Sequence, residues 1–303
     1  MKNHEEAGLP VLQHRPADGH KGTFGRVLIV AGSRGMSGAA ALAGTAALRG
    51  GAGLVSVALP ESVQTAVASI EPGYMTIGLS ETAAGGVTES AFREILPHLT
   101  GKDAIAVGPG LGNNSQVRGL VRRLFVEATS PLVVDADGLN VLAEDFRSGT
   151  LAASQGGVRI LTPHPGELAR LRGSSIADVE RDRETAARDF AKQHRVVVVL
   201  KGPGTVVTDG DRIAVNSTGN SGMGTGGSGD VLTGLLTAVV ARGGDGFESA
   251  RLAVWLHGRA GDFAADELSE TALIASDLPR FFGAAWQDLA NRHADVSGSG
   301  DRK

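Results

Sequence analysis

From residue 27 onward, short β-branched runs alternate with longer stretches of helical pattern, and that rhythm restricts the chain to one class of fold. The runs RVLIVAG, LVSVALP, YMTIG, DAIAVGPG, PLVVDADG, VRILTPHPGE and RVVVVLKGPG read as strands, each closing on glycine, proline or a charged residue. Between them lie the small-residue helix SGAAALAGTAALRGG, an amphipathic stretch over 89–99 and a helix over 115–127. Continuous apolar strands joined by helices predict an α/β fold in three layers, a mostly parallel central sheet with helices on both faces. Sheets of this kind take ligands beyond the carboxyl ends of their strands, where the glycines and polar residues of this chain collect.

The segment TVVTDGDRIAV breaks the rhythm. Val206–Thr208 and Arg212–Val215 flank Asp209-Gly210, a hairpin signal, so an antiparallel ribbon is expected there. Further helices are expected over 230–242 and 247–266 and from about residue 276, before the polar, glycine-rich end HADVSGSGDRK, which reads as disordered. No internal repeat and no linker interrupts the chain. One domain over 20–288 is therefore expected, between a lead of 1–19 and a tail of 289–303. At 303 residues and 42% hydrophobic, the chain can bury a full core. The lead lacks the apolar centre of a signal peptide, and Arg49 with Gly50, Gly51 and Gly53 interrupts the one long apolar stretch, so no membrane association is expected. A net charge of −4 with interspersed signs offers no footprint for nucleic acid. The absence of cysteine excludes disulfides and thiolate sites and fits a cytoplasmic setting.

The run AVNSTGNSGMGTGGSGDVLTGLLTAVV, from Ala214 to Val240, carries the chemistry. It passes from a short strand through a glycine-dense loop into an apolar helix. Backbone N–H groups of Gly226, Gly227, Ser228 and Gly229, with the positive end of the helix dipole, form an anion hole suited to phosphate. Asp230 is the acid at its mouth. A capping turn needs one glycine, and the crowd of Gly222, Gly224, Gly226, Gly227 and Gly229 instead favours backbone approach to a ligand. At a helix N-terminus the Asp230 pKa should tend downward, which would make its positioning matter more than its basicity.

Other strand ends add candidates. Lys201-Gly202-Pro203-Gly204-Thr205 closes a valine strand and is either a ligand edge or an ordinary strand-to-strand turn. In Thr162-Pro163-His164-Pro165-Gly166-Glu167, Pro165 and Glu167 suit helix initiation, and His164 is placed to touch a ligand. Gly108-Pro109-Gly110-Leu111-Gly112 ends another strand and offers a second anion or ribose contact. Asp135 and Asp137 could hold Mg2+ through water, or Asp137 could cap the helix that follows. His4, His14, His20, His98, His194, His257 and His293 show no ligand spacing and read as structural or solvated. Gly32-Ser33-Arg34-Gly35-Met36-Ser37-Gly38 is not the dinucleotide fingerprint, and no Walker A sequence occurs.

In order, HKGTFGRVLIVAGSRGMSGAAALAGTAALRGGAGLV, VGPGLG, VVDADGLN, LTPHPGE, VLKGPGTVV and NSTGNSGMGTGGSGDVLTG resemble the ADP-dependent (S)-NAD(P)H-hydrate dehydratases of the ribokinase-like superfamily, over about residues 20 to 285. The short lead resembles the stand-alone form, without the epimerase domain that precedes it in many bacterial members. Ser217 and Ser221 stand where the family usually has proline, and Gly224 where it often has alanine.

The resemblance implies a ribokinase-like fold and the activity of a carbon–oxygen lyase. The hydrated nicotinamide cofactors NADHX or NADPHX would be phosphorylated at the C6 hydroxyl by ADP and would then lose phosphate. It further implies that Lys201, Gly202, Pro203, Gly204, Thr205 and Gly229 hold the adenine nucleotide, and that Gly110, His164, Asp230 and an alanine of the Gly38-Ala39-Ala40 helix start, taken as Ala40 with Ala43 an alternative, contact the substrate. Asp230 is the implied catalytic residue. Mg2+ bridging the nucleotide phosphates and a homo-oligomer, a tetramer by resemblance, complete the expectation. Two rivals share the anion hole: a ribokinase-like kinase with a stable product, acting on a hydroxymethylpyrimidine or a sugar, and a non-catalytic nucleotide-binding protein.

Overall fold

Strand side chains divide between two cores with the period of two that a pleated strand imposes. In the computed structural model, which describes residues 15–154 and 156–298 with side chains to residue 294, Val27 and Ile29 enter one core while Leu28 and Val30 enter the other. Val197 and Val199 divide from Val198 and Leu200 in the same way.

The strands are β1 (Arg26–Val30), β2 (Leu54–Pro60), β3 (Met75–Leu79), β4 (Ala104–Val107), β5 (Leu132–Val134), β6 (Arg159–Leu161), β7 (Val197–Leu200), β8 (Val206–Thr208) and β9 (Ile213–Val215). They form one sheet in the order β3-β2-β1-β4-β5-β6-β7-β8-β9. β1 to β7 pair in parallel, and β8 and β9 add the antiparallel ribbon expected around Asp209-Gly210. Strand order reverses between β1 and β4, which opens a crevice at their carboxyl ends.

The helices are α1 (Ser37–Arg49), α2 (Glu61–Ala68), α3 (Ala91–Leu99), α4 (Ser115–Glu127), α5 (Asp137–Ser148), α6 (Pro165–Arg172), α7 (Ile176–Arg181), α8 (Arg183–His194), α9 (Ser228–Val240), α10 (Gly246–Leu268) and α11 (Leu278–Gly298). α1, α9, α10 and α11 cover one face of the sheet, and α3 to α8 cover the other. The fold is thus the expected three-layer α/β arrangement. Periodicity does not announce α2, because that helix buries only Val67. None of the described helices is long and apolar enough to cross a membrane.

The tail expected from residue 289 is helical as far as Gly298. Leu289 is buried, and Asp288 accepts hydrogen bonds from Arg259 and, one turn on, from Arg292, so α11 is held past the expected boundary. Residues 1–14 of the expected lead and 299–303 of the expected tail lie outside the described residues. From residue 15 the chain already packs, with the Arg15 guanidinium 3.6 Å from the Phe24 ring centre.

α1 and α9 approach closely enough to exclude any side chain between them at Gly234. A Cβ there would lie 2.0 Å from the Ala43 carbonyl oxygen and 2.9 Å from the Ala46 methyl. Gly234→Ala is therefore expected to lower the unfolding free energy by about 1–3 kcal/mol, the usual cost of overpacking. Urea denaturation checks this, and a stability equal to wild type would contradict the packing described.

Candidate active site

Neighbouring strand ends deliver the charged residues. Asp135 follows β5 and Lys201 follows β7, and the lysine Nζ donates to Asp135 Oδ1 at 2.6 Å. The other carboxylate oxygen, Oδ2, accepts from Thr233 Oγ1 of α9 at 2.7 Å. Asp135 is only 1% exposed and Lys201 20%, so the pair is largely withdrawn from water. Glu167 of α6 lies on its far side, with Oε2 3.9 Å from the ammonium.

This pair sits directly under the first turn of α9. A Cβ at Gly229 would be 3.5 Å from Lys201 Nζ and 3.7 Å from Asp135 Oδ2. No side chain caps this helix, whose N-cap is Gly227 at φ 95. A side chain at 227 would strike Leu42 at 2.6 Å, whereas Gly226 is exposed with open space around it. Glycines here leave main-chain donors and a dipole end unobstructed, with an ammonium behind them, and that arrangement attracts an anion.

Asp230 is half-buried at the third residue of α9. Burial is the largest cause that pushes its pKa up to about 6; Asp135 and Asp137 add to it and Lys201 opposes it. The downward tendency expected from the helix terminus is thereby overturned. Lys201 is held above the ordinary lysine range: burial works against its charge, but Asp135 and then Glu167 outweigh it. Burial raises Glu167, with Lys201 opposing and Asp135 adding.

The crevice between β1 and β4 brings the other candidates near. Gly110, at φ +62, lies against α1, where a Cβ would come 2.8 Å from Met36 O and 3.0 Å from the Ala39 methyl. Ser33 Oγ donates to the Gly110 carbonyl at 2.8 Å. Ala40 is fully buried against Gly32, because α1 packs tightly onto the end of β1. Ala43 is equally buried, and half-buried Ala39 is the alanine beside Gly110.

His164 is the N-cap of α6. Its Nδ1 accepts from Gly166 N at 3.0 Å and Glu167 N at 3.3 Å, while Glu167 returns a bond to the His164 N–H in a capping box. The ring is more than half exposed, with Nε2 3.5 Å from Glu167 Oε1. Asp135 and Asp137 do not act as a pair. The first is committed to Lys201 and Thr233, and the second starts α5 and accepts from Gly112 N at 2.8 Å. Among the described residues no group of three or more carboxylates and histidines could hold a metal. Such a donor set suits only an ion that carries phosphate oxygens and water as most of its shell.

The Lys201–Thr205 turn does connect two strands, with Gly202 and Gly204 at φ +134 and +64. Arg183, which no motif flags, braces it by donating to the Leu200 and Lys201 carbonyls at 3.2 and 3.1 Å. Thr233 and Asp262 are further residues that sequence reasoning missed. Asp262 accepts from Gly219 N and Asn220 Nδ2 and clips the glycine loop onto α10. Ser221 donates to Glu270, so the loop is tied there by a hydrogen bond. His257 is structural as expected, buried on α10 with its pKa pushed down to about 4 by burial.

Residues 27–280 match the family described as NAD(P)H-hydrate dehydratase (Carb_kinase). The bifunctional NAD(P)H-hydrate repair enzyme Nnr of Moorella thermoacetica is 42% identical over 290 residues, which cover 95% of this chain and 54% of that protein. The ADP-dependent (S)-NAD(P)H-hydrate dehydratase of Neisseria meningitidis is 39% identical, over 88% of this chain and 85% of its own. Among solved structures, the ADP/ATP-dependent NAD(P)H-hydrate dehydratase from Bacillus subtilis, co-crystallised with ATP and Mg2+, superposes with a TM-score of 0.77. It is 31% identical and covers 92% of this chain and 94% of that one. The chain spans about half the length of the first curated relatives it matches.

Removing Asp135 would leave the Lys201 ammonium buried without its partner. Asp135→Ala is expected to cost about 3 kcal/mol of folding stability, a typical penalty for breaking a buried ion pair. Chemical denaturation measures it, and a loss below roughly 1 kcal/mol, the scale of an exposed pair, would show that the pair is not the anchor described.

Proposed function

The chain belongs to the NAD(P)H-hydrate dehydratase family, and from that premise we propose that it returns the (S)-hydrate of NADH or NADPH to the reduced cofactor with ADP as phosphoryl donor. The observation that carries this reading is Asp230 with a pKa near 6, one residue past Gly229 and beside the Lys201–Asp135 pair. A base of that strength is ionised at neutral pH yet still accepts a proton.

Asp230 orients the C6 hydroxyl of the hydrate and takes its proton as the oxygen bonds to the β-phosphorus of ADP. AMP leaves as the bond to the β-phosphorus breaks. The main-chain N–H groups of Gly226 to Gly229 and the Lys201 ammonium stabilise the charge on the transferring group. The ring nitrogen lone pair then expels phosphate from C6, and loss of a proton from C5 restores the dihydropyridine. Hydroxide is a poor leaving group and phosphate a good one, which is the reason for the phosphoryl step. Mg2+ bound with the nucleotide would neutralise phosphate charge, and Asp137 is the carboxylate left to reach it. Gly202 to Thr205 flank the nucleotide, and Gly110, Ala39 and the exposed edge of His164 border the hydrate.

Incubation with the hydrate of NADH, ADP and Mg2+ tests the reading. Recovery of the dihydropyridine absorbance with equimolar AMP and phosphate is expected; a phosphorylated product that persists would turn the reading to a small-molecule kinase. Asp230→Asn should fold normally and lose more than ~100-fold in turnover, and near wild-type turnover would remove Asp230 from its role. Because the carboxylate is the working form, kcat/KM should rise with pH through about 6 and level off above it. A profile flat between pH values on either side of that point would contradict the raised pKa.

A further inference from the structure

A cavity of about 340 Å3 opens beside the site, lined by Asn113 and Arg118 of the α4 start, Asn140, Glu144 and Arg147 of α5, and Arg170 of α6. Its Asn113 end adjoins the loop that borders the crevice. Asn113 follows Gly112, whose N–H is bonded to Asp137, and Asp137 is one of the acids acting on Asp230. Asp137, Asn140, Glu144 and Arg147 follow one another at helical spacings of three and four, so one stripe of α5 leads from the crevice along the cavity wall.

The cations along that wall are not equivalent. Arg118 is neutralised by Glu144 at 2.8 Å and Asp145 at 2.9 Å. Arg170 donates to the uncharged amide of Asn140, and no ion pair engages Arg147 or Arg170 among the described residues. Two exposed guanidinium groups without a carboxylate partner therefore line one cavity. The guanidinium fork matches phosphate geometry and loses little on desolvation. Ten helical residues separate Asp137 from Arg147, a rise of roughly 15 Å, so the stripe is long enough to follow an extended ligand out of the crevice.

We propose that this cavity is a substrate subsite in which Arg147 and Arg170 bind a phosphate of the dinucleotide, either its pyrophosphate or the 2′-phosphate of NADPH. The inference rests on the dinucleotide-hydrate reading above. It would make these two arginines residues that set substrate affinity and, where they take the 2′-phosphate, the choice between the two cofactors.

Fluorescence titration with NADH and NADPH, which needs no turnover, compares wild type with the Arg147→Ala/Arg170→Ala double variant. Loss of two charge-assisted contacts is expected to weaken binding by at least about 10-fold. The affinity for ADP and the thermal midpoint should stay at wild-type values, and Arg147→Lys should recover part of the loss. Weakening confined to NADPH assigns the 2′-phosphate, and equal weakening of both cofactors assigns the pyrophosphate. Equal affinities in wild type and double variant, or a wild type that binds neither cofactor, overturn the subsite. A wild type that binds NADPH but fails to dehydrate the hydrate overturns the function reading and leaves the subsite standing.

Discussion

The bond between Lys201 and Asp135 sets the geometry of the site, because it joins three elements that are far apart in the chain. It links the end of β7 to the end of β5, and the second oxygen of Asp135 carries the link to Thr233 on α9. A buried ion pair contributes little net stability against well-packed apolar residues. Its effect here is on position. With the ammonium fixed 3.5 Å from where a Cβ of Gly229 would be, the helix terminus cannot drift from the strand ends it faces.

Close packing enforced by glycine brings the partners to that point. Gly234 lets α9 lie against the α1 backbone, and Gly108, at φ +131, lets the end of β4 come within 1.9 Å of the Asp135 carbonyl, measured from the Cβ it lacks. These contacts place the α9 terminus over the crevice where the strand order reverses. Asp230 is crowded there with Asp135 and Asp137, and its basicity follows. A helix terminus acts on an adjacent carboxylate with about 0.3–1 kcal/mol. The rise from 3.8 to about 6 corresponds to roughly 3 kcal/mol in the opposite sense. Burial and neighbouring acids win by magnitude.

Two candidate residues work for the protein before they work for a ligand. His164 caps α6 through Nδ1, so any contact it makes with a substrate falls to Nε2 and the ring edge. Asp137 secures the Gly112 N–H and thereby shapes the loop that leads to the α5 cavity. Substitutions at either position will therefore disturb local structure whatever they do to a ligand.

What could be read without coordinates was local. The period of two in the strands, the Asp209-Gly210 turn, the helix over 115–127 and the glycine-rich approach to Asp230 all depend on neighbours within a few residues. The three-layer α/β arrangement follows from their alternation. The tertiary structure decided the rest. It separated Asp135 from Asp137, buried Ala40 and left Ala39 at the crevice, recruited Thr233 and Arg183, carried α11 through residue 289 and raised the pKa of Asp230. Each of these depends on charges, carbonyls or cavities supplied by segments tens of residues away, and desolvation and close contact are properties of the folded assembly that no stretch of sequence carries alone.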